Sequence, residues 1–233
     1  MHRFMLFVGM GTALIASNAC VARALRPLAA AAASNDGTAV RRLLSEGIAA
    51  DDHDESGWTA LMWAARTGAI DAASALLDAG ANPNAHEMNN RWTPLLHAIH
   101  KQRPASVRLL LERGADPNAA APGGLTPLLM AADDPNPTTV QLLLAHGANP
   151  RTEGPGGVTP LTQAVSGGAL TDFTDRPIFG GCHPATVRAF LAHDPSLEMP
   201  ATFAGRQALW WARFNKCDEV LNLLQGTVRK AER

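Results

Sequence analysis

The sequence predicts an all-α fold, a solenoid of about six stacked helix-turn-helix units with a long loop inserted in the fifth. Three observations predict it. Thr59-Ala60-Leu61, Thr93-Pro94-Leu95, Thr126-Pro127-Leu128 and Thr159-Pro160-Leu161 recur at intervals of 34, 33 and 33 residues. Gly80-Ala81-Asn82-Pro83-Asn84, Gly114-Ala115-Asp116-Pro117-Asn118 and Gly147-Ala148-Asn149-Pro150 keep the same step, their glycines 34 and 33 apart. Leucine runs fall between these landmarks: Leu76-Leu77, Leu109-Leu110-Leu111 and Leu142-Leu143-Leu144. Two independent landmarks on one period mark an internal repeat, whose units cannot bury an apolar face alone and must stack.

Residues 1–24 stand apart from the repeat. His2 and Arg3 precede a run from Phe4 to Ala16 that is almost wholly apolar, and Ser17, Asn18 and small residues follow. That order of charged, apolar and small regions reads as a secretory signal peptide. A helix over the run would reach about 20 Å at ~1.5 Å per residue, short of the ~30 Å hydrocarbon core, so no membrane span is expected. Cleavage after Ala19, Ala22 or Ala24 would release a soluble domain, residues 25–233, into a bacterial periplasm. The rival route is lipoprotein processing at Cys20, where Ser17-Asn18-Ala19-Cys20 is a loose lipobox that would leave a lipid anchor.

The chain has 233 residues, 46% of them hydrophobic and 18% charged, enough apolar surface for a sizeable core. Its formal charge is −1, and without residues 1–24 the balance is 18 Lys+Arg against 21 Asp+Glu. Such a balance lacks the basic bias of a nucleic-acid binder, and no nucleic-acid partner is expected.

Within each unit the residues have local reasons. The threonine hydroxyl can cap a helix, and proline directly after it sits where a missing N–H costs nothing. Leu61, Ala64 and Ala65, like Leu128, Ala131 and Ala132, give a thin first helix that a neighbour can approach closely. The paired leucines line the second helix, and the glycine after it can adopt the left-handed conformation that ends a helix. The units run near 26–53, 54–87, 88–120, 121–153, 154–201 and 202–226. The first lacks the threonine, as a terminal unit can, and the last starts from Gln207-Ala208-Leu209.

Thr159 to Gln207 spans 48 residues, 15 beyond one period, and the surplus falls between the helices of the fifth unit, from Gly167 to His183. Phe173, Ile178 and Phe179 of this loop either meet a partner or fold back over the end of the stack. Pro184 aligns with Pro104 and with Cys217, which puts Cys182 and Cys217 near equivalent places on adjacent units. Packed helices lie about 10 Å apart, a gap the loop can close to disulfide range, so a Cys182–Cys217 bond is expected in an oxidising compartment.

The landmarks resemble the ankyrin repeat, with its 33-residue period and T-P-L-H-x-A signature. The resemblance covers nearly all of residues 25–233. It implies a protein-binding groove lined by the projecting turns and the first helices. Just before the threonine stand Trp58, Trp92, Leu125, Val158 and Arg206. Two places after the signature leucine stand Trp63, His97, Met130, Gln163 and Trp211. The first helices end at Arg66, at His100 and Lys101, and at Asp133 and Asp134. Tryptophan is enriched at binding hot spots, so Trp58, Trp63 and Trp92 form an expected anchor patch, extended by Leu125 and Met130. Phe173 and Phe179 would add loop contacts, Asp133 and Asp134 would face a basic effector, and Trp210 and Trp211 would seal the last unit.

No H-E-x-x-H, G-x-S-x-G or P-loop motif occurs, and the cluster from Asp51 to Glu55 lacks the spacing of a calcium loop. The remaining histidines are scattered. The expectation is a non-enzymatic protein without cofactor or metal that binds another protein in the periplasm. Exported ankyrin proteins include partners of periplasmic enzymes and immunity proteins that occlude a toxin effector, and the latter is one role that fits this module. A role as accessory or protective factor for a periplasmic oxidative-stress enzyme is the alternative, and a host-directed effector is a third.

Overall fold

The computed structural model describes residues 26–168 and 181–225. Residues 1–24, expected to be a signal peptide and including Cys20, and Phe173, Ile178 and Phe179 of the inserted loop, lie outside the described residues. Among those described there are helices and no strand, in six pairs. They are α1 (Pro27–Ala33) with α2 (Gly37–Ser45), α3 (Ala60–Thr67) with α4 (Ile70–Asp78), and α5 (Pro94–His100) with α6 (Pro104–Glu112). Then come α7 (Pro127–Ala131) with α8 (Thr138–Ala145), α9 (Pro160–Ser166) with α10 (Pro184–His193), and α11 (Phe203–Phe214) with α12 (Asp218–Leu223).

The first helix of each pair packs on the first helix of the next, from α1 through α11, and the second helices do likewise from α2 to α12. Two parallel rows result. Threonine starts each first helix from α3 onward. The hydroxyls of Thr59, Thr93, Thr126 and Thr159 accept from the amides of Met62, Leu96, Leu129 and Thr162 at 3.2–3.3 Å, satisfying a donor that the helix itself leaves open. The core is a single leucine-rich seam. Leu61, Leu95, Leu128, Leu161 and Leu209 are at most 2% exposed, each burial contributing about 1.5–3 kcal/mol.

A second seam runs along the turns. Asn84 donates through Nδ2 to Gly114 O at 3.0 Å, and its Oδ1 accepts from the Asp116 amide at 2.8 Å. Asn118 repeats this with Gly147 O at 3.0 Å and the Asn149 amide at 2.8 Å. Asp51, one period earlier, can only accept, and takes the Asn82 amide at 2.9 Å. Arg151, one period later, reaches Asp194 at 2.6 Å and Ser196 at 2.7 Å, carrying the seam past the inserted loop as an ion pair. The amide seam works because Gly114 and Gly147 are left-handed, with φ of +87° and +86°, turning their carbonyls toward it.

The last unit departs from the expected start. Its first helix begins five residues before Ala208, at Phe203, because Thr202 offers the capping hydroxyl that Gln207 cannot; that hydroxyl accepts from the Gly205 amide at 3.2 Å. The extra turn makes α11 12 residues long. It also requires glycine at 205, where a Cβ would stand 1.9 Å from Pro200 O.

Cys182 and Cys217 form the expected disulfide, with Cα atoms 5.5 Å apart. The helix starts at Pro184 and Asp218 align Cys217 with His183 rather than with Pro184, so the bond ties residues immediately before α10 and α12. The inserted loop leaves and returns at one neck, since a Cβ on Gly167 would stand 1.8 Å from Gly181 O. The bond spans a sequence separation of 35, which loop-closure entropy values at roughly 3–4 kcal/mol. In a stack this is local, and reduction is expected to speed amide exchange in α11 and α12 by about two orders of magnitude while leaving α3–α8 unchanged. Equal protection in α11 and α12 before and after reduction would show that the bond does not hold the last unit.

Candidate functional site

The turns preceding α3 and α5 put Trp58 and Trp92 on the first-helix face of units 2 and 3. Each stands one residue before a capping threonine. Trp63 sits on the first turn of α3 and His97 at the matching place on α5, so the period alone brings these rings together. Trp58 lies 4.8 Å from Trp63 and 4.2 Å from His97, between ring centroids. Trp92 lies 5.4 Å from His97 and 5.1 Å from His100. The Arg66 guanidinium, in the last turn of α3, stands over the Trp58 ring at 5.8 Å, within cation–π range. Trp58, Trp63, Arg66, Trp92, His100 and Lys101 are all half-buried, each body held by the fold with part of the side chain reaching solvent.

Beneath these rings lies a group that the sequence reading passed over. Glu87 is only 3% exposed. Its carboxylate accepts a hydrogen bond from the Trp58 side chain, and Arg66 and Asp54 bear on it electrostatically. Burial pushes its carboxyl above the ordinary value; the Trp58 bond and Arg66 counter this, while Asp54 reinforces it. The signal was present in the repeat: the positions one and two periods on are Ala121 and Gly154, so an acid at 87 stands where later units carry the smallest residues.

His97 is 2% exposed, and neither ring nitrogen has a hydrogen-bond partner among the described residues. Burial first, then the nearby positive charges of Arg66, His100 and Lys101, lower its pKa from 6.5 to about 3. Its Nε2 is 3.8 Å from Glu87 Oε1, beyond hydrogen-bond distance. With the imidazole neutral at pH 7, the two groups do not form an ion pair.

Several expected contact residues lie elsewhere than the groove surface. His97, Met130 at 2% and Leu125 at 6% exposure are buried in the stack and offer a partner no side-chain surface. The first-helix position that is half-buried as Trp63 in unit 2 is fully buried as His97 in unit 3, as Met130 in unit 4 and as Gln163 in unit 5. Asp134 is engaged locally: its carboxylate accepts from the Asn136 amide at 2.9 Å and from Gln102, and its carbonyl accepts from Thr186 at 2.7 Å. Asp133 packs against Gly168, whose added Cβ would fall 1.7 Å from its Oδ1. Both acids thus belong to the junction between units 4 and 5. Phe173 and Phe179 lie outside the described residues.

The ankyrin repeat family model matches residues 28–121 as three repeats, and the single-repeat model matches residues 123–153. The chain belongs to the ankyrin repeat family. The two matches cover more than half of it and coincide with the aromatic cluster and both its flanks. No curated relative matches the sequence. The family is generally a scaffold for protein–protein interaction, without chemistry of its own. Among the described residues no group of three His, Cys, Asp or Glu could hold a metal ion, and no helix is long and apolar enough to cross a membrane.

The buried imidazole makes the site sensitive to acid. A histidine released by unfolding takes up a proton near pH 6.5, whereas His97 in the fold resists until about 3. Stability therefore falls as pH drops through that window, by about 2–3 kcal/mol at pH 4.5. Glu87, raised above 4.5 in the fold, acts in the opposite sense and offsets part of the loss. Replacing His97 by methionine, the residue of the next unit, is expected to remove most of the difference between urea midpoints at pH 7 and pH 4.5. An unchanged difference would move the acid sensitivity to another group.

Proposed function

We propose that this ankyrin protein is a non-enzymatic binding module whose partner protein seats on Trp58, Trp63 and Trp92. One observation carries the reading: three indoles stand half-exposed at the junction of units 2 and 3 over a buried carboxylate that is engaged with one of them. Burying Glu87 costs stability where alanine or glycine would cost none, and such a cost is expected at sites held for function rather than for folding. The indoles are anchored, so a partner would lose little ordering entropy on docking.

The cations around the patch, Arg66 and Lys101, favour an acidic partner surface over the basic one expected from Asp133 and Asp134, since both acids are built into the unit 4–5 junction. Within this class we take forward an occluding role, such as that of an immunity protein covering a toxin effector, in the periplasm. A rigid preformed surface suits occlusion, and the Cys182–Cys217 bond suits an oxidising compartment. The exposed face of that bond at Cys182 also favours the second reading, a redox-linked accessory of a periplasmic oxidative-stress enzyme.

A pull-down from periplasmic extract with the wild-type chain, repeated with Trp58→Ala and Trp63→Ala, tests the surface. Each substitution is expected to weaken capture by at least about tenfold, the loss typical of truncating an anchoring aromatic. Undiminished capture by both variants would exclude this face. Partner loss on reduction alone, with both tryptophan variants still active, would favour the redox-linked reading.

A further inference from the structure

In every internal unit from the second to the fifth, the residue after the signature leucine is sealed by the first helix that follows. Met62, Leu96, Leu129 and Thr162 occupy this position at 0–1% exposure. Its counterpart in the last unit is Trp210, 55% exposed. Phe203 and Phe214, seven residues before and four after, lie on the same side of α11 and are 71% and 65% exposed. The Trp210 and Phe214 rings stack, with centroids 5.1 Å apart and an interplanar angle of 12°. Trp211 closes the group at 5.3 Å from Trp210 and 5.9 Å from Phe214. The outer side of α11 is thus an aromatic plate, where a terminal unit ordinarily turns a polar face to water. Among the described residues no helix lies on it.

We propose that this plate is a self-association surface, on which a second copy of this chain seats its own last unit across a two-fold axis. The face ends the row of first helices that runs from α1 through α11, and in place of the sealed positions of the earlier units it carries three large exposed aromatic side chains. What fits so apolar a face is another apolar plate, and α11 of a second copy presents one with the same three exposed rings. A two-fold axis sets each plate against its twin, the self-complementary arrangement of most homodimers.

The area is adequate for a weak dimer. Three aromatic side chains of about 150–250 Å² each, more than half exposed, supply about 400 Å² per copy. With the rims of α11 and α12 the total reaches about 1,200 Å², the lower end of specific interfaces. The Cys182–Cys217 bond holds α12, and through it the plate, to the stack, so little ordering is left for association. Arg206 and Arg213 border the plate on both copies. The contact is therefore driven by apolar burial rather than charge pairing, and added salt leaves it intact.

Sedimentation equilibrium on the full, oxidised chain across the micromolar range tests this. The average mass is expected to rise from 24.6 kDa toward twice that value with concentration, without weakening in high salt. Trp210→Arg and Phe203→Arg are each expected to raise the dissociation constant at least about tenfold with an unchanged helical spectrum. Phe203 lies in the extra turn outside the repeat pattern, so its replacement tests the surface even where Trp210→Arg disturbs folding. Trp63→Ala, on the other face, is expected to leave association unchanged. A chain that stays monomeric overturns the proposal, as does association that both plate variants retain. Monomer with Trp210 shielded from acrylamide also overturns it, and assigns the plate to a segment of this chain or to a different protein.

Discussion

The α-helices among the described residues are between five and twelve residues long, mostly too short to persist alone in water. Each is held by the units on either side, which cover its leucines and lengthen a two-turn helix into part of a continuous wall. Thr59, Thr93, Thr126, Thr159 and Thr202 matter in proportion: in so short a helix the first open amide is a large share of all its hydrogen bonds. The Asn84 and Asn118 bridges serve the same dependence from the turn side, because an amide can donate and accept at once and so lock two turns in both directions. Where the period is interrupted the device changes. Arg151 replaces the amide with a longer side chain, and a disulfide secures the unit beyond.

Against that uniform apolar seam, the junction of units 2 and 3 is exceptional. At 87, where the next two units carry Ala121 and Gly154, a buried carboxyl lies, and the unit before carries an acid at the same turn, Asp54. The repeat asks for no titratable ring at 97, yet an imidazole without hydrogen-bond partners among the described residues is enclosed. Each costs stability, and the two costs act at opposite ends of the acid range, because one group resists losing a proton in the fold and the other resists gaining one. Glu87 accepts a hydrogen bond from the Trp58 side chain and feels the charge of Arg66, which makes the outer aromatic surface and the inner polar pair one assembly.

Most of this fold was legible in the sequence because repetition turns local chemistry into long-range geometry. Once the threonines and glycines share a period, helix pairing, their order and the proximity of Cys182 to Cys217 follow without further information. The start of α11 was obscured because Gln207 holds the threonine's place in the alignment while Thr202 holds its chemistry. Burial at the site was harder to read. Trp63, His97 and Met130 occupy one position of the repeat, but its exposure differs from unit to unit with the side chains around it, which the period does not specify. Leu125 is buried for the same reason, although Trp58 and Trp92 at its position are not. Glu87 was overlooked because an acid in a turn ordinarily reads as solvated; only comparison with Ala121 and Gly154 reveals that its place is enclosed.

Stability and binding are coupled at that junction. A stack depends on the coupling between neighbours, and between units 2 and 3 a carboxylate and an imidazole stand among the buried side chains. A partner seated on Trp58 and Trp92 would touch both units at once, since one indole belongs to each. Because such a partner binds only when the two units are stacked, mass action adds its binding free energy to the junction. The added free energy falls on the junction where the ligand has its anchors, and α3 and α5 would gain more protection from binding than α7 and α8 beyond them.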